Sequence, residues 1–146
     1  MLLLAPIMAV GALFAAFAAL EGGDVSFSTD GNGEYFVEAD VPEDIPPRIR
    51  EGAGQLNIDL TDLDIADFDD EDVPVPVEVD MTAGQIVVDL PEDLPVRIDA
   101  DIGAAGEIAV FNNSRDGFRP QYTLSEPDPL LELDIHLGVG EIVVQR

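Results

Sequence analysis

The sequence predicts an all-β domain of stacked strands, β-solenoid-like in architecture, preceded by one N-terminal transmembrane helix. Three observations predict it: an unbroken apolar segment, a period of two in the remaining chain, and a glycine unit that recurs four times between strands. A period of two places successive side chains on opposite faces of a strand. We assign residues 1–20 to the helix, residues 21–50 to a juxtamembrane segment with the first strands, and residues 51–146 to the acidic β-solenoid-like domain.

The apolar segment is long enough to span a bilayer. Residues 1–20 contain no charged side chain, and nine of them are Leu, Ile, Val or Phe. Twenty helical residues extend about 30 Å, and these nine side chains favour insertion by roughly 3 to 5 kcal/mol. A cleaved signal peptide is the alternative, since Ala16-Phe17-Ala18 has a small-x-small pattern, but no basic residue precedes it. A third alternative is the last helix of a longer membrane protein.

The charges that follow this segment help to predict which side of the membrane the β domain occupies. Glu21 and Asp24 follow it directly, and the first basic residue is Arg48. Cytoplasmic flanks of membrane helices are usually rich in Lys and Arg. We therefore expect a single-pass protein of the cell membrane, in contact with the lipid bilayer through residues 1–20, with the β domain outside the cytoplasm.

The charge balance excludes some classes of function. The chain has 31 acidic residues, six arginines and no lysine, for a net charge of −25. Nucleic-acid binding requires cationic side chains that replace phosphate counterions, so we expect no nucleic-acid partner. Cations and basic proteins should be attracted instead, although such a charge most often only maintains solubility. The chain has no cysteine, which excludes disulfides, thiolate metal sites and a cysteine nucleophile.

Alternation of apolar and polar residues is clearest in three segments. Each segment predicts a strand with one face in a core and the other in water. The apolar positions are Val73, Val75, Val77, Val79 and Met81; Leu94, Val96, Ile98, Ala100 and Ile102; and Leu131, Leu133, Ile135 and Leu137.

Four similar units contain a small residue, then Gly, then Gln or Glu, then an apolar strand. Their glycines are Gly54, Gly84, Gly106 and Gly140. The apolar, inward-facing positions are odd-numbered before Gly84 and Gly140 and even-numbered after them. One extra residue must therefore be accommodated at each glycine, either by a positive φ or by a β-bulge. Units 22 to 34 residues apart indicate stacked rungs. A β-sandwich with similar hairpins is the alternative.

Three strings carry a resemblance to a known family. They are residues 52–63 (GAGQLNIDLTDL), residues 87–100 (VVDLPEDLPVRIDA) and residues 133–146 (LDIHLGVGEIVVQR). Together they resemble the C-terminal β domain, also called toast-rack or LiaF-like, of actinobacterial membrane proteins that carry a phage-shock-protein C (PspC) domain. The resemblance covers about residues 50–146. It implies a bacterial, membrane-anchored domain with a role in the cell-envelope stress response. In that family a PspC domain and several membrane helices precede the β domain, so we expect this chain to be a truncated or minimal version.

No catalytic, cofactor-binding or metal-binding residue is predicted, and we expect no cofactor. Catalysis by a nucleophile and a base needs a histidine or lysine beside the nucleophile. The chain has no lysine, and its sole histidine, His136, falls on the outward face of its strand. The acidic segment at residues 59–72 lacks the glycine of an EF-hand loop, which favours a solvated connection over a calcium site. Residues 115–129 contain several aromatic and proline residues, and we expect a loop that covers an end or an edge of the stack, with exposed aromatic residues as partner contacts.

These features predict a protein that is not an enzyme. We expect a membrane-anchored sensing or protein-interaction domain of the envelope stress response, whose partners are other membrane proteins, with a two-component sensor kinase as one candidate. The alternative is a structural, acidic envelope protein that self-associates into homo-oligomers through open ends of the stack.

Overall fold

The computed structural model describes residues 28–30 and 33–146, and this part of the chain forms one open, nine-stranded sheet. It contains no α-helix, only 3-10 turns at Pro42–Asp44 and Ile65–Asp67. The all-β prediction is therefore confirmed. The strands are β1 (Ser28–Asp30), β2 (Glu34–Glu38), β3 (Arg48–Asp59), β4 (Val75–Asp89), β5 (Val96–Ile102), β6 (Ala105–Val110), β7 (Asn113–Phe118), β8 (Gln121–Ser125) and β9 (Leu131–Gln145).

The transmembrane helix predicted at residues 1–20 lies outside the described residues. Within the described part, no helix has the length and hydropathy needed to cross a membrane.

Parallel pairing dominates the sheet. Strands β2, β3, β4 and β9 are successive parallel neighbours, and β9 pairs on its other side with β5 and β6. The last strand in the sequence therefore lies in the middle of the sheet, between β4 and the β5–β6 pair. Strands β5 and β6 align with the two halves of β9, which makes them the counterpart of one long strand. At the edges, β1, β7 and β8 are antiparallel to β2, β6 and β5.

The four glycine units lie side by side in this register. Gly54 pairs with Gly84, Gly84 with Gly140, and Gly140 with Gly106. Gly84 has φ of 127°, and a Cβ atom placed on it would collide with the carbonyl oxygen of Gly54. Only glycine combines this conformation with such a close approach of two backbones. The positive φ expected at Gly84 and Gly140 is confirmed, and Gly54 also has a positive φ.

The predicted alternation is confirmed on both sides of the glycines. In β4 and β9 the buried residues are odd-numbered before the glycine and even-numbered after it. Both halves of each long strand therefore direct apolar side chains into a single core, and every buried side chain assigned to that core among the described residues is hydrophobic. The buried residues of the three long strands are Ile49, Leu56, Ile58, Val77, Val79, Met81, Ile86, Val88, Leu131, Leu133, Ile135, Leu137, Ile142 and Val144.

The expectation of a loop at residues 115–129 is wrong for most of that segment. Residues up to Phe118 belong to β7, and Gln121–Ser125 form β8. All six residues of β7 are exposed, so neither face carries the apolar alternation that identifies a strand from sequence. The strand forms because β6 supplies an antiparallel partner. The segment does not cover an edge of the sheet, because β7 and β8 themselves form edge strands.

Candidate functional site: an acidic face on a rigid sheet

The parallel register gathers carboxylates on the solvent side of the sheet. Neighbouring rows contain Glu78, Asp134 and Asp99 in one line and Asp80, His136 and Asp101 in the next. Strands in a sheet are about 4.8 Å apart, so side chains in one row are direct neighbours. We call this set the acidic face; its members are Glu78, Asp80, Asp99, Asp101, Glu132 and Asp134.

Asp134 lies at the centre of the acidic face. Partial burial raises its pKa, and repulsion from Asp99, Glu78, Asp101 and Glu132 raises it further, in that order. Like charges in close proximity disfavour the ionised form. The fold therefore maintains a local charge density that a cation or a basic partner would relieve.

Two basic side chains, Arg48 and His136, pair with carboxylates of the acidic face. Arg48 lies 3.3 Å from Glu78, with both side chains well exposed. His136 lies 2.7 Å from the Asp101 carboxylate, and its side chain is 51% exposed. Since an ionised carboxylate can only accept, Nδ1–H of His136 donates this hydrogen bond. The predicted surface position of His136 is confirmed. Its pairing with Asp101, 35 residues away in the chain, could not be predicted from the sequence.

A second polar row occupies the solvent side beyond the glycines. Gln55, Gln85, Glu141 and Glu107 lie in register, and Gln85 Nε2 donates to Glu141 Oε1 at 2.6 Å. Two of these four side chains are neutral amides and two are carboxylates.

One carboxyl occupies an inward position. Glu51 is in register with Met81, which pairs with Leu137. Burial raises the pKa of Glu51 to about 7, and Glu51 in turn raises the pKa of buried Tyr35, after the larger effect of burial on that tyrosine. The inward position of Glu51 could have been predicted from the sequence, because Glu51 falls at an odd-numbered position before Gly54, where an apolar residue is expected.

The side chain of Arg146 contacts residues from three parts of the fold. The Arg146 guanidinium pairs with Glu126, donates to the Leu94 carbonyl oxygen at 2.9 Å, and lies 4.1 Å from the centre of the Phe111 ring. Glu126 also accepts from the backbone N–H of Val96 at 3.1 Å. These contacts fix the ends of β5 and β9 to the turn between β6 and β7.

The acidic segment at residues 59–72 forms most of the connection between β3 and β4. Leu63 and Phe68 anchor it to the core, and its carboxylates point outward. In the described residues, no three His, Asp or Glu side chains are arranged to hold a metal ion. Asp59, Asp64 and Asp69 instead accept hydrogen bonds from backbone N–H groups two residues ahead, which shapes the loop.

The edge formed by β7 and β8 presents an aromatic side chain to solvent. Phe118 is 77% exposed, and the guanidinium of Arg119 lies 5.7 Å from the centre of its ring. The expectation of an exposed aromatic residue in this segment is therefore confirmed, and it is carried by a strand end.

Comparisons with known proteins do not assign the chain to a family. No family model matches it, and no curated protein matches it. A crystal structure from Clostridium sporogenes ATCC 15579, described as a "putative cell adhesion protein", resembles it with a TM-score of 0.42 and 17% sequence identity. That similarity covers 78% of this chain and 57% of the other one.

Proposed function

We propose that the chain is a membrane-anchored, non-catalytic protein-interaction domain that takes part in sensing cell-envelope stress, as in PspC- and LiaF-like proteins. Residues 1–20 are the proposed anchor, and the β domain is placed outside the cytoplasm. The proposal includes the stacked, solenoid-like description of the domain, which the shared register of β2, β3, β4 and β9 supports.

The acidic face is the observation that carries the proposal. Its six carboxylates are attached to strands whose inward side chains form the buried core, so their spacing is rigid. A rigid array of like charges gives a partner of opposite charge faster association and a defined orientation. Single exposed ion pairs contribute only about 0.2 to 1 kcal/mol each, so several must act together. The partner expected from this chemistry is a membrane protein with a basic segment outside the bilayer, and a two-component sensor kinase is the candidate we favour.

Co-purification from solubilised membranes tests the proposal. The full chain is compared with Asp99→Asn/Asp134→Asn, which removes two charges from the acidic face. The matched control is Asp69→Asn/Asp70→Asn, which removes two charges from the exposed β3–β4 connection. We expect the wild type and the control to retain a membrane partner with a basic extramembrane segment, and the first variant to lose it.

Two outcomes would count against the proposal. Full retention of the partner by both double variants would show that the acidic face is not required, and equal loss from both would show that only net charge matters. Recovery of the chain alone, under conditions that keep membrane complexes intact, would remove the sensing role. A neighbouring gene pair for a kinase and its regulator would support it.

A structural role is the second candidate. One observation favours it, namely an open sheet edge at β8 whose strand contains no charged residue. Recovery of self-assembled material without another membrane protein would favour this alternative.

A further inference from the structure

Strand β8 leaves half of its backbone hydrogen-bonding groups unpaired by the described sheet. Among the described strands it is the terminal one in the sheet order, and its pairing partner there is β5. Glu126 N–H donates to Val96, and Ile102 N–H donates to Pro120, so even-numbered positions of this segment face β5. In an antiparallel ladder the alternate residues then point their N–H and C=O groups the other way. Gln121, Thr123 and Ser125 therefore present these groups along the exposed edge, and all three residues are exposed.

The composition of β8 does not protect this edge. Natural sheets usually block an open edge with charged residues, proline or a bulge. The five residues of β8, Gln-Tyr-Thr-Leu-Ser, include neither a charge nor a proline, in a chain with 31 acidic residues. Tyrosine and threonine also favour strands. The edge is thus suited to accept another strand.

The sequence of β8 fits a second copy of itself. We propose that two chains pair through β8, antiparallel, around a two-fold axis that passes beside Thr123. Such an axis places Thr123 opposite Thr123 of the second copy and Gln121 opposite Ser125, and these are the residues whose backbone groups are available. On the inward side, Tyr122 of each chain meets Leu124 of the other, an aromatic–aliphatic pair that extends the core across the axis. The result is one continuous sheet through both chains.

The other edge strand at this end does not fit a symmetric pair. Strand β7 contains Arg115 and Asp116. Two-fold symmetry perpendicular to the sheet allows a residue to face its own copy or one an even number of positions away. Registers centred on Arg115 or Asp116, in the middle of β7, place arginine against arginine or aspartate against aspartate, which is unfavourable. This difference selects β8 over β7.

The net charge of −25 does not prevent this contact at physiological salt. The nearest carboxylate row is on β5, where Asp99 lies opposite Thr123. Asp99 and its copy would be three strand spacings apart, about 14 Å. The Debye length at physiological ionic strength is about 8 Å, so most of this repulsion is screened. The contact is short, which predicts a weak dimer that is stronger in salt.

The absence of cysteine from the chain permits a position-specific test. Three variants of the full chain are prepared in mild detergent, each with a single cysteine: Thr123→Cys, Gln121→Cys and Asn113→Cys. Each variant is then oxidised with copper phenanthroline. Opposed residues in a hydrogen-bonded antiparallel pair have Cα atoms about 5.5 Å apart, within disulfide range. Gln121 and its own copy would be about 14 Å apart, four residues along the strand. We expect covalent dimers from Thr123→Cys and few from the other two variants.

A backbone variant provides the second measurement. Thr123→Pro removes an N–H that points away from β5, so the pairing of β8 within the chain is retained, and Thr123→Val is the matched control that keeps the N–H. Sedimentation should show self-association of Thr123→Pro weakened by about tenfold or more, with Thr123→Val unchanged. The proposal is overturned by a strictly monomeric wild type at high concentration and salt, by equal cross-linking at all three positions, or by preferential cross-linking through Asn113→Cys. Because only the purified chain is used, these outcomes do not depend on the proposed signalling function.

Discussion

Substitution of Gly84 by alanine should cause the largest loss of stability among four glycine-to-alanine changes. Gly84 combines φ of 127° with a Cβ position that collides with the Gly54 carbonyl oxygen. Gly117 has φ of 119° with open space around it, so Gly117→Ala isolates the conformational penalty. Gly106 has no positive φ, but a Cβ would collide with the Gly140 carbonyl oxygen, so Gly106→Ala isolates the contact. Gly52 has neither feature.

The magnitudes follow from these two components. An unfavourable φ costs about 1–3 kcal/mol in this region of conformational space. Overpacking against the neighbouring strand costs about 1–3 kcal/mol. Gly84→Ala incurs both, for a loss of about 4 kcal/mol in the free energy of unfolding, because the Gly54 carbonyl cannot retreat without breaking the β3–β4 ladder. Gly52→Ala should instead stabilise the chain by about 0.5 kcal/mol, through lower entropy of the unfolded state.

Thermal and urea unfolding of the full chain in detergent, followed by far-ultraviolet circular dichroism, measures these differences. At about 4 °C per kcal/mol, Gly84→Ala should lower Tm by about 16 °C. The other two destabilising variants should each lower it by no more than about 12 °C. A Gly84→Ala variant no less stable than Gly117→Ala would refute the close stacking of glycines across β3, β4 and β9.

Three further predictions concern charge. Because the folded-state pKa of Glu51 is raised from 4.5 to about 7, the native state holds its proton more tightly, so its stabilising contribution is present below pH 4.5 and is lost as pH rises to about 7. Glu51→Gln should reduce this loss, so a Tm profile as steep as that of the wild type over this window would contradict the assignment. Sodium chloride should raise Tm by screening repulsion among the acidic residues, and a Tm unchanged between low and high salt would exclude that effect. Arg146→Ala should lower the free energy of unfolding by about 1–2 kcal/mol, since Glu126 and the Phe111 ring lose their cationic partner. Arg146→Lys should restore only part of that loss, because lysine cannot make the planar contact. Equal stability of the wild type and Arg146→Ala in chemical unfolding would show that the contact is not stabilising.

The candidate site could be predicted from sequence only in part. The outward position of Asp134 and His136 follows from the alternation in β9, which is local. The crowding of Asp134 by Asp99 and Glu78 depends on which strands are neighbours, and these residues are more than 30 positions away from it in the chain. The pairing of His136 with Asp101 has the same origin. Glu51 is a different case. The alternation in the sequence already predicts that its side chain faces inward, but its raised pKa depends on how deeply the tertiary structure buries it.

The sequence by itself determined the strand class, the inward and outward sides of β4, β5 and β9, and the change of parity at Gly84 and Gly140. These are local properties, since the side-chain period of a strand and the steric limits of a backbone act within a few residues. Tertiary structure alone decided that β9 lies between β4 and the β5–β6 pair, and that the exposed residues of β7 form a strand. Pairing between distant segments is a matter of backbone hydrogen bonds and register, and backbone groups are nearly the same in every residue.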